Sequence, residues 1–188
     1  MTNIVVRKAE FLDIDVGVSL GRELNGTERV DWLPCGPDRI GRLAQGWLAS
    51  RNYAVLVAEK AEAAEYETWP ASLAEARERR RKNMLGFFVG YRHRNGGAEW
   101  LANDVAIFVR PELEGYLAAA RLMLRFIDWS REQRCREVCF GAAAAAVIRA
   151  GTLDPAWLGL SAMGPYYCTR LTSPRAEFRP VRPTDMRR

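Results

Sequence analysis

Short runs of apolar residues alternate along the chain with stretches whose apolar positions recur every three or four residues, a pattern that predicts an α/β fold. Ile4-Val5-Val6 reads as a short strand. Asp13 is placed to cap a helix that carries Val16, Leu20 and Leu24 on one stripe and ends at Gly26. A second helix starts at Pro37-Asp38, with Ile40, Leu43, Ala44, Trp47 and Leu48 on one apolar face. Two continuous apolar runs of strand length, 53–58 and 85–91, predict central strands. Residues 59–83 form a long insertion between them: acidic at Glu62, Glu65 and Glu67, then Trp69-Pro70, then a basic run of helical propensity from Ala71 to Asn83.

The second half is as regular. His93 lies in Arg92-His93-Arg94-Asn95-Gly96-Gly97, which reads as a hairpin turn with a solvated histidine. Trp100 to Val109 is the returning strand, with Asn103-Asp104 in its middle. From Pro111 a long helix places Glu114, Arg121, Arg125, Asp128 and Glu132 along one polar line, and Leu113, Leu117, Ala120, Leu124 and Ile127 on the opposite, buried face. A strand from Cys135 to Phe140, a helix from Ala142 to Ala150 and a closing strand from Leu160 to Leu171, broken at Gly164-Pro165, complete one domain over residues 1–172. The tail 173–188 holds three prolines and five arginines with few apolar groups, so it should be disordered alone.

Composition narrows the chemistry. A chain of 188 residues suits a single core. One histidine leaves little room for zinc sites or Ser-His nucleophile systems. Cys35, Cys135, Cys139 and Cys168 lack paired zinc spacing, so the expectation is free thiols in a reducing, cytoplasmic setting, without a metal. No run approaches the roughly 20 apolar residues that span a bilayer, so no membrane partner is expected. The net charge of +5 gathers at Arg77 to Lys82 and in the tail, which would suit acidic partners, nucleic acid included.

This element order resembles the GNAT acyltransferase superfamily. Ala106-Ile107-Phe108-Val109-Arg110-Pro111-Glu112 is similar to that family's fourth strand, which leads into the acetyl-CoA loop, and Gly115 with Ala118 to Leu122 is similar to the helix start. Arg136 to Gly141 resembles the fifth strand, while Trp157-Leu158-Gly159-Leu160 and Gly164-Pro165-Tyr166-Tyr167 resemble the last helix and strand. The wording is most similar to phage or prophage-encoded members. The resemblance implies a mixed, mostly antiparallel sheet flanked by helices and splayed near Ala106 to Val109. It also implies acetyl-CoA held by Val109, Gly115, Leu117, Ala118 and Ala119, with Glu99 or Asp104 as general base for acyl transfer to an amine.

The same resemblance exposes departures. Where the family places Arg or Gln, then Gly, then Gly or Ala, this chain has Glu114, Leu117 and Ala119. A branched side chain obstructs backbone approach to phosphate. A carboxylate about 6 Å from a phosphate is repelled by roughly 3 kcal/mol at an effective dielectric near 20, more than the 0.3 to 2 kcal/mol, approximately, that a helix terminus returns. Acetyl-CoA should therefore bind more weakly than about 100 μM. The family's tyrosine acid would fall near Asp154 to Trp157, which holds no phenol, and Tyr166 and Tyr167 read as packing residues. Two classes of function follow: an amine acetyltransferase, or a catalytically silent scaffold in an assembly such as a phage particle. In the second, other protein chains would dock on the 173–188 tail and the 59–83 insertion.

Overall fold

Continuous apolar runs need cover on both faces, and the computed structural model, which describes residues 3–25, 37–61, 70–94, 96–148 and 154–171, supplies it. In chain order the elements are β1 (Ile4–Lys8), α1 (Phe11–Asn25), α2 (Pro37–Ala49), β2 (Tyr53–Lys60), α3 (Leu73–Asn83), β3 (Met84–Arg94), β4 (Trp100–Val109), α4 (Leu113–Glu132), β5 (Glu137–Phe140) and α5 (Ala142–Val147). A 3-10 turn at Pro155–Leu158 precedes β6 (Ser161–Met163) and β7 (Tyr166–Arg170). The seven strands form one sheet ordered β1-β2-β3-β4-β5-β7-β6, antiparallel throughout except for the parallel β4–β5 pair. Gly26, Glu62, Glu65, Glu67 and Trp69, and the 173–188 tail, lie outside the described residues. No helix among those described is long and apolar enough to cross a membrane.

Strand alternation sorts β2 into two cores. Val55 and Val57 pack with Ile14, Val16, Leu20 and Ala44 under α1 and α2. Ala54, Leu56 and Ala58 pack with Leu122, Met123, Phe126 and Ile127 under α4. Close approach is set by glycine: a Cβ built at Gly17 would sit 2.6 Å from the Phe87 ring, and one at Gly90 would sit 2.4 Å from that of Phe126.

Three sequence expectations are corrected. On α4 the sheet takes the stripe Ala118, Ala119, Leu122, Met123, Phe126, Ile127 and Ser130, whose hydroxyl donates to the Phe126 carbonyl. Leu117 is 39% exposed rather than buried. The helix is apolar on more than one stripe, and the small residues at its start let that stripe lie closest to the strands. On α2, Leu43 is likewise exposed, while Ala44 is buried. His93 belongs to β3 rather than to a turn: its ring stacks on Tyr91 with centroids 5.3 Å apart, and its Nε2 lies 2.8 Å from Asn103 Oδ1. The side chains of Leu24, Ile40 and Leu113 lie outside what the structure describes.

The basic run is not a bare cationic face. Asp13 is fully buried on the first turn of α1, accepting from the Glu10 N–H, from both Arg7 terminal nitrogens and from Arg80. Arg7 also forks onto Glu59, Arg80 reaches Glu10, and Arg77 pairs with Asp15 at 2.7 Å. The insertion helix α3 is thereby pinned to α1 by charge.

Candidate active site

The site begins as a defect in pairing. Ala106 faces Val89 and Asp104 faces Gly90, which leaves Val105 as an extra residue, a β-bulge that bends and twists its strand. Directly before it, the β4–β5 ladder stops: only Leu101, Ala102 and Asn103 pair with β5. From Asp104 onward roughly 20 Å of β4 edge, at about 3.3 Å per residue, diverges from β5. The Arg110 N–H donates to the Leu85 carbonyl on β3. By alternation the main-chain groups of Val109 and Ile107 face away from β3, into the gap.

At the apex of the gap, hydrogen bonds to a side chain replace the ladder. Gly141 is the N-cap of α5 and has no side chain to cap it. The Asp104 carboxylate does so from β4, accepting from the Gly141 and Ala144 N–H groups. Burial pushes the Asp104 carboxyl pKa above its ordinary value, and those two N–H bonds offset only part of the rise. A Cβ built at Gly141 would lie 3.2 Å from the Asp104 carboxylate and 3.6 Å from the Tyr166 ring. Tyr166 is 50% exposed, whereas Tyr167 packs on the core as expected. A carboxylate and an accessible phenol thus flank one glycine where β4 and β5 part. The sequence reading missed Tyr166; its one signal was strand alternation, which turns it away from the core that holds Tyr167.

The other expected site residues are scattered. Glu99 is 57% exposed, ion-paired with Arg136, and lies roughly 17 Å of strand from Asp104 at about 3.3 Å per residue. Gly115 is required by packing: a Cβ there would come 1.8 Å from the Arg110 carbonyl oxygen. Its N–H donates to the Glu112 carbonyl, as does that of Tyr116. Because α4 starts at Leu113, the amides of Leu117, Ala118 and Ala119 lie beyond the first turn, where N–H groups bond within the helix. Ala118 and Ala119 are also fully buried. Glu114 pairs with Lys60 at 2.7 Å. Residues 117–119, where the family resemblance would place a phosphate cradle, lie within α4.

Across β5 and β7 the structure also joins residues that sequence spacing kept apart. Cys139 and Cys168 face each other in the ladder, and the Cys139 thiol donates to Glu137 Oε1 at 3.2 Å. Burial, together with hydrogen bonds to Cys168 and Glu137, pushes the Cys139 thiol far above its ordinary pKa.

The sequence matches no protein-family model and no curated protein. Solved structures do match. An N-acetyltransferase from Staphylococcus aureus superposes with a TM-score of 0.60 at 15% identity, over 90% of this chain and 99% of that one. Glucosamine-6-phosphate N-acetyltransferase from Arabidopsis thaliana gives 0.55 at 12% identity, over 86% and 94%. A predicted acetyltransferase with acetyl-CoA from Clostridium acetobutylicum gives 0.54 at 14% identity, over 81% and 90%. With its bulged fourth strand, its mixed sheet and these likenesses, the chain has the fold of the GNAT N-acetyltransferases.

Proposed function

We propose that the protein transfers an acyl group from a pantetheine thioester, such as that of acetyl-CoA, to an amine bound beside the β4–β5 gap. The observation that carries this reading is the coincidence of the Val105 bulge with the end of β4–β5 pairing. It opens a slot whose wall offers the main-chain amides of Ile107 and Val109 to an amide-bearing arm. In this reading Asp104 takes the proton of the attacking amine, and burial suits it to that task by raising its proton affinity. The Tyr166 phenol protonates the departing thiolate. The diphosphate of coenzyme A gains little, because α4 begins too early to cradle it and Glu114 stands beside it. Acetyl-CoA and the shorter acetyl-pantetheine should therefore bind within about threefold of each other, a difference of about 0.7 kcal/mol. Calorimetric titration with both ligands tests this, and a preference for acetyl-CoA above about 100-fold would contradict it.

A catalytically silent scaffold is the second reading, favoured by the continuous start of α4 and by the structural duty of Asp104 as the cap of α5. It predicts binding of neither thioester.

A further inference from the structure

Antiparallel pairing sets Cys139 on β5 directly opposite Cys168 on β7, and Glu137, two residues earlier on β5, shares their face. Val138 and Phe140 alternate onto the other face, into the core under α4, so packing there makes no demand on the three. One ligand atom from each of Glu137, Cys139 and Cys168 lies within 4.8 Å of the others. A tetrahedral ion with bonds of about 2.3 Å to sulfur holds its sulfurs about 3.8 Å apart, so modest side-chain rotation brings the set into coordinating geometry. Two soft sulfurs with one carboxylate suit a borderline-soft cation, whereas magnesium and calcium take oxygen donors. Cys168 is buried, while Cys139 and Glu137 are half-buried, leaving a solvent-side position for a water ligand.

We propose that Glu137, Cys139 and Cys168 form a binding site for a divalent cation of the zinc class, which clamps β5 to β7 beside the point where β5 parts from β4. The site stands independently of the acyl-transfer reading. An ion there ties the wall of the gap to the last hairpin, and because it binds the folded chain it raises the melting temperature with concentration.

The test titrates the full, metal-free chain, kept reduced by a phosphine, with cobalt(II) and then zinc. One equivalent of cobalt should bring a thiolate-to-cobalt charge-transfer band and the strong ligand-field bands of a four-coordinate ion, and zinc should displace both. Cys139→Ser and Cys168→Ser should each abolish the charge-transfer band or halve it, whereas Cys135→Ala, altering a buried cysteine of the other core, should leave it unchanged. Glu137→Gln, at a half-buried position, should weaken zinc by more than the roughly 10- to 100-fold that loss of an outer-shell partner costs. No charge-transfer band from the reduced wild-type chain would overturn the proposal. So would a full band in both Cys139→Ser and Cys168→Ser, unchanged zinc affinity in Glu137→Gln, or loss of the band in Cys135→Ala.

Discussion

Asp104 holds the N-terminus of α5 and faces the slot between β4 and β5, so one carboxylate serves both architecture and the proposed chemistry. The two roles separate kinetically. Asp104→Asn keeps one acceptor oxygen for α5 but cannot take a proton, so kcat for acetyl transfer should fall by about 100-fold or more with KM little changed. Tyr166→Phe should lower kcat by a similar factor for poor leaving thiols and less for good ones, which steady-state rates with thioesters of graded thiol pKa would show. Unchanged rates in both variants would remove these residues from the chemistry. Asp104 was legible as a candidate, alongside Glu99, only through the family resemblance, which calls for a carboxylate base near the fourth strand. Tyr166 was not: only pairing beside β5 places its ring against Gly141, and pairing across a sheet leaves no mark in local spacing.

Among the elements, α4 carries the proposal that coenzyme A's diphosphate gains little here. Its start at Leu113 is stabilised by packing of Gly115 against Arg110 and by the Lys60–Glu114 pair. The double change Glu114→Arg with Leu117→Gly removes the carboxylate and weakens the first turns, where glycine costs about 1 kcal/mol. Binding of acetyl-CoA should tighten by about tenfold, or 1.4 kcal/mol, while acetyl-pantetheine is unaffected. Equal effects on both would show that the variant acts on the slot instead. The polar line of α4 could be read from sequence, and so could the burial of Ala120 and Ile127, but the rest of the buried stripe could not, because Leu117 and Leu124 compete with Ala118, Leu122 and Met123 for the same period. The α1–α3 clamp has a pH signature. Burial pushes the Asp13 pKa up, but hydrogen bonds from Arg7, the Glu10 N–H and Arg80 more than offset it, so the net value lies below the ordinary 3.8. A depressed carboxyl pKa stabilises the fold fully above its unfolded value, and that stability is lost as pH falls through the folded one. Asp13→Asn should cost about 3 kcal/mol at neutral pH, since it leaves arginines without their buried partner. The cost should shrink below pH 3.8, as urea melts between neutral and acid pH would measure. A pH-independent cost would assign the loss to packing.

At the scale of the whole molecule, element order was readable because apolar runs and helical stripes are local signals, whereas the mixed sheet was expected only through the family resemblance of that order. The expected opening near Ala106 to Val109 matches the strand edge that β5 leaves unpaired. The bulge that creates it was not legible, since Val105 is an ordinary strand residue and only its register against Gly90 and Val89 makes it the extra one. Likewise the six-residue row Tyr53, Tyr91, Asn103, Cys139, Cys168 and Ser161 exists only once the strands are ordered. The slot is therefore a property of register, and main-chain amides are the right reporters of it. The most direct measurement is an NMR titration of the isotope-labelled chain with acetyl-CoA, followed amide by amide. Progressive shifts should appear at Ile107 and Val109 with a dissociation constant weaker than about 100 μM, and the amides of Leu117, Ala118 and Ala119 should stay put. No shift at Ile107 and Val109 at millimolar ligand, or micromolar binding centred on residues 117–119, would contradict the account.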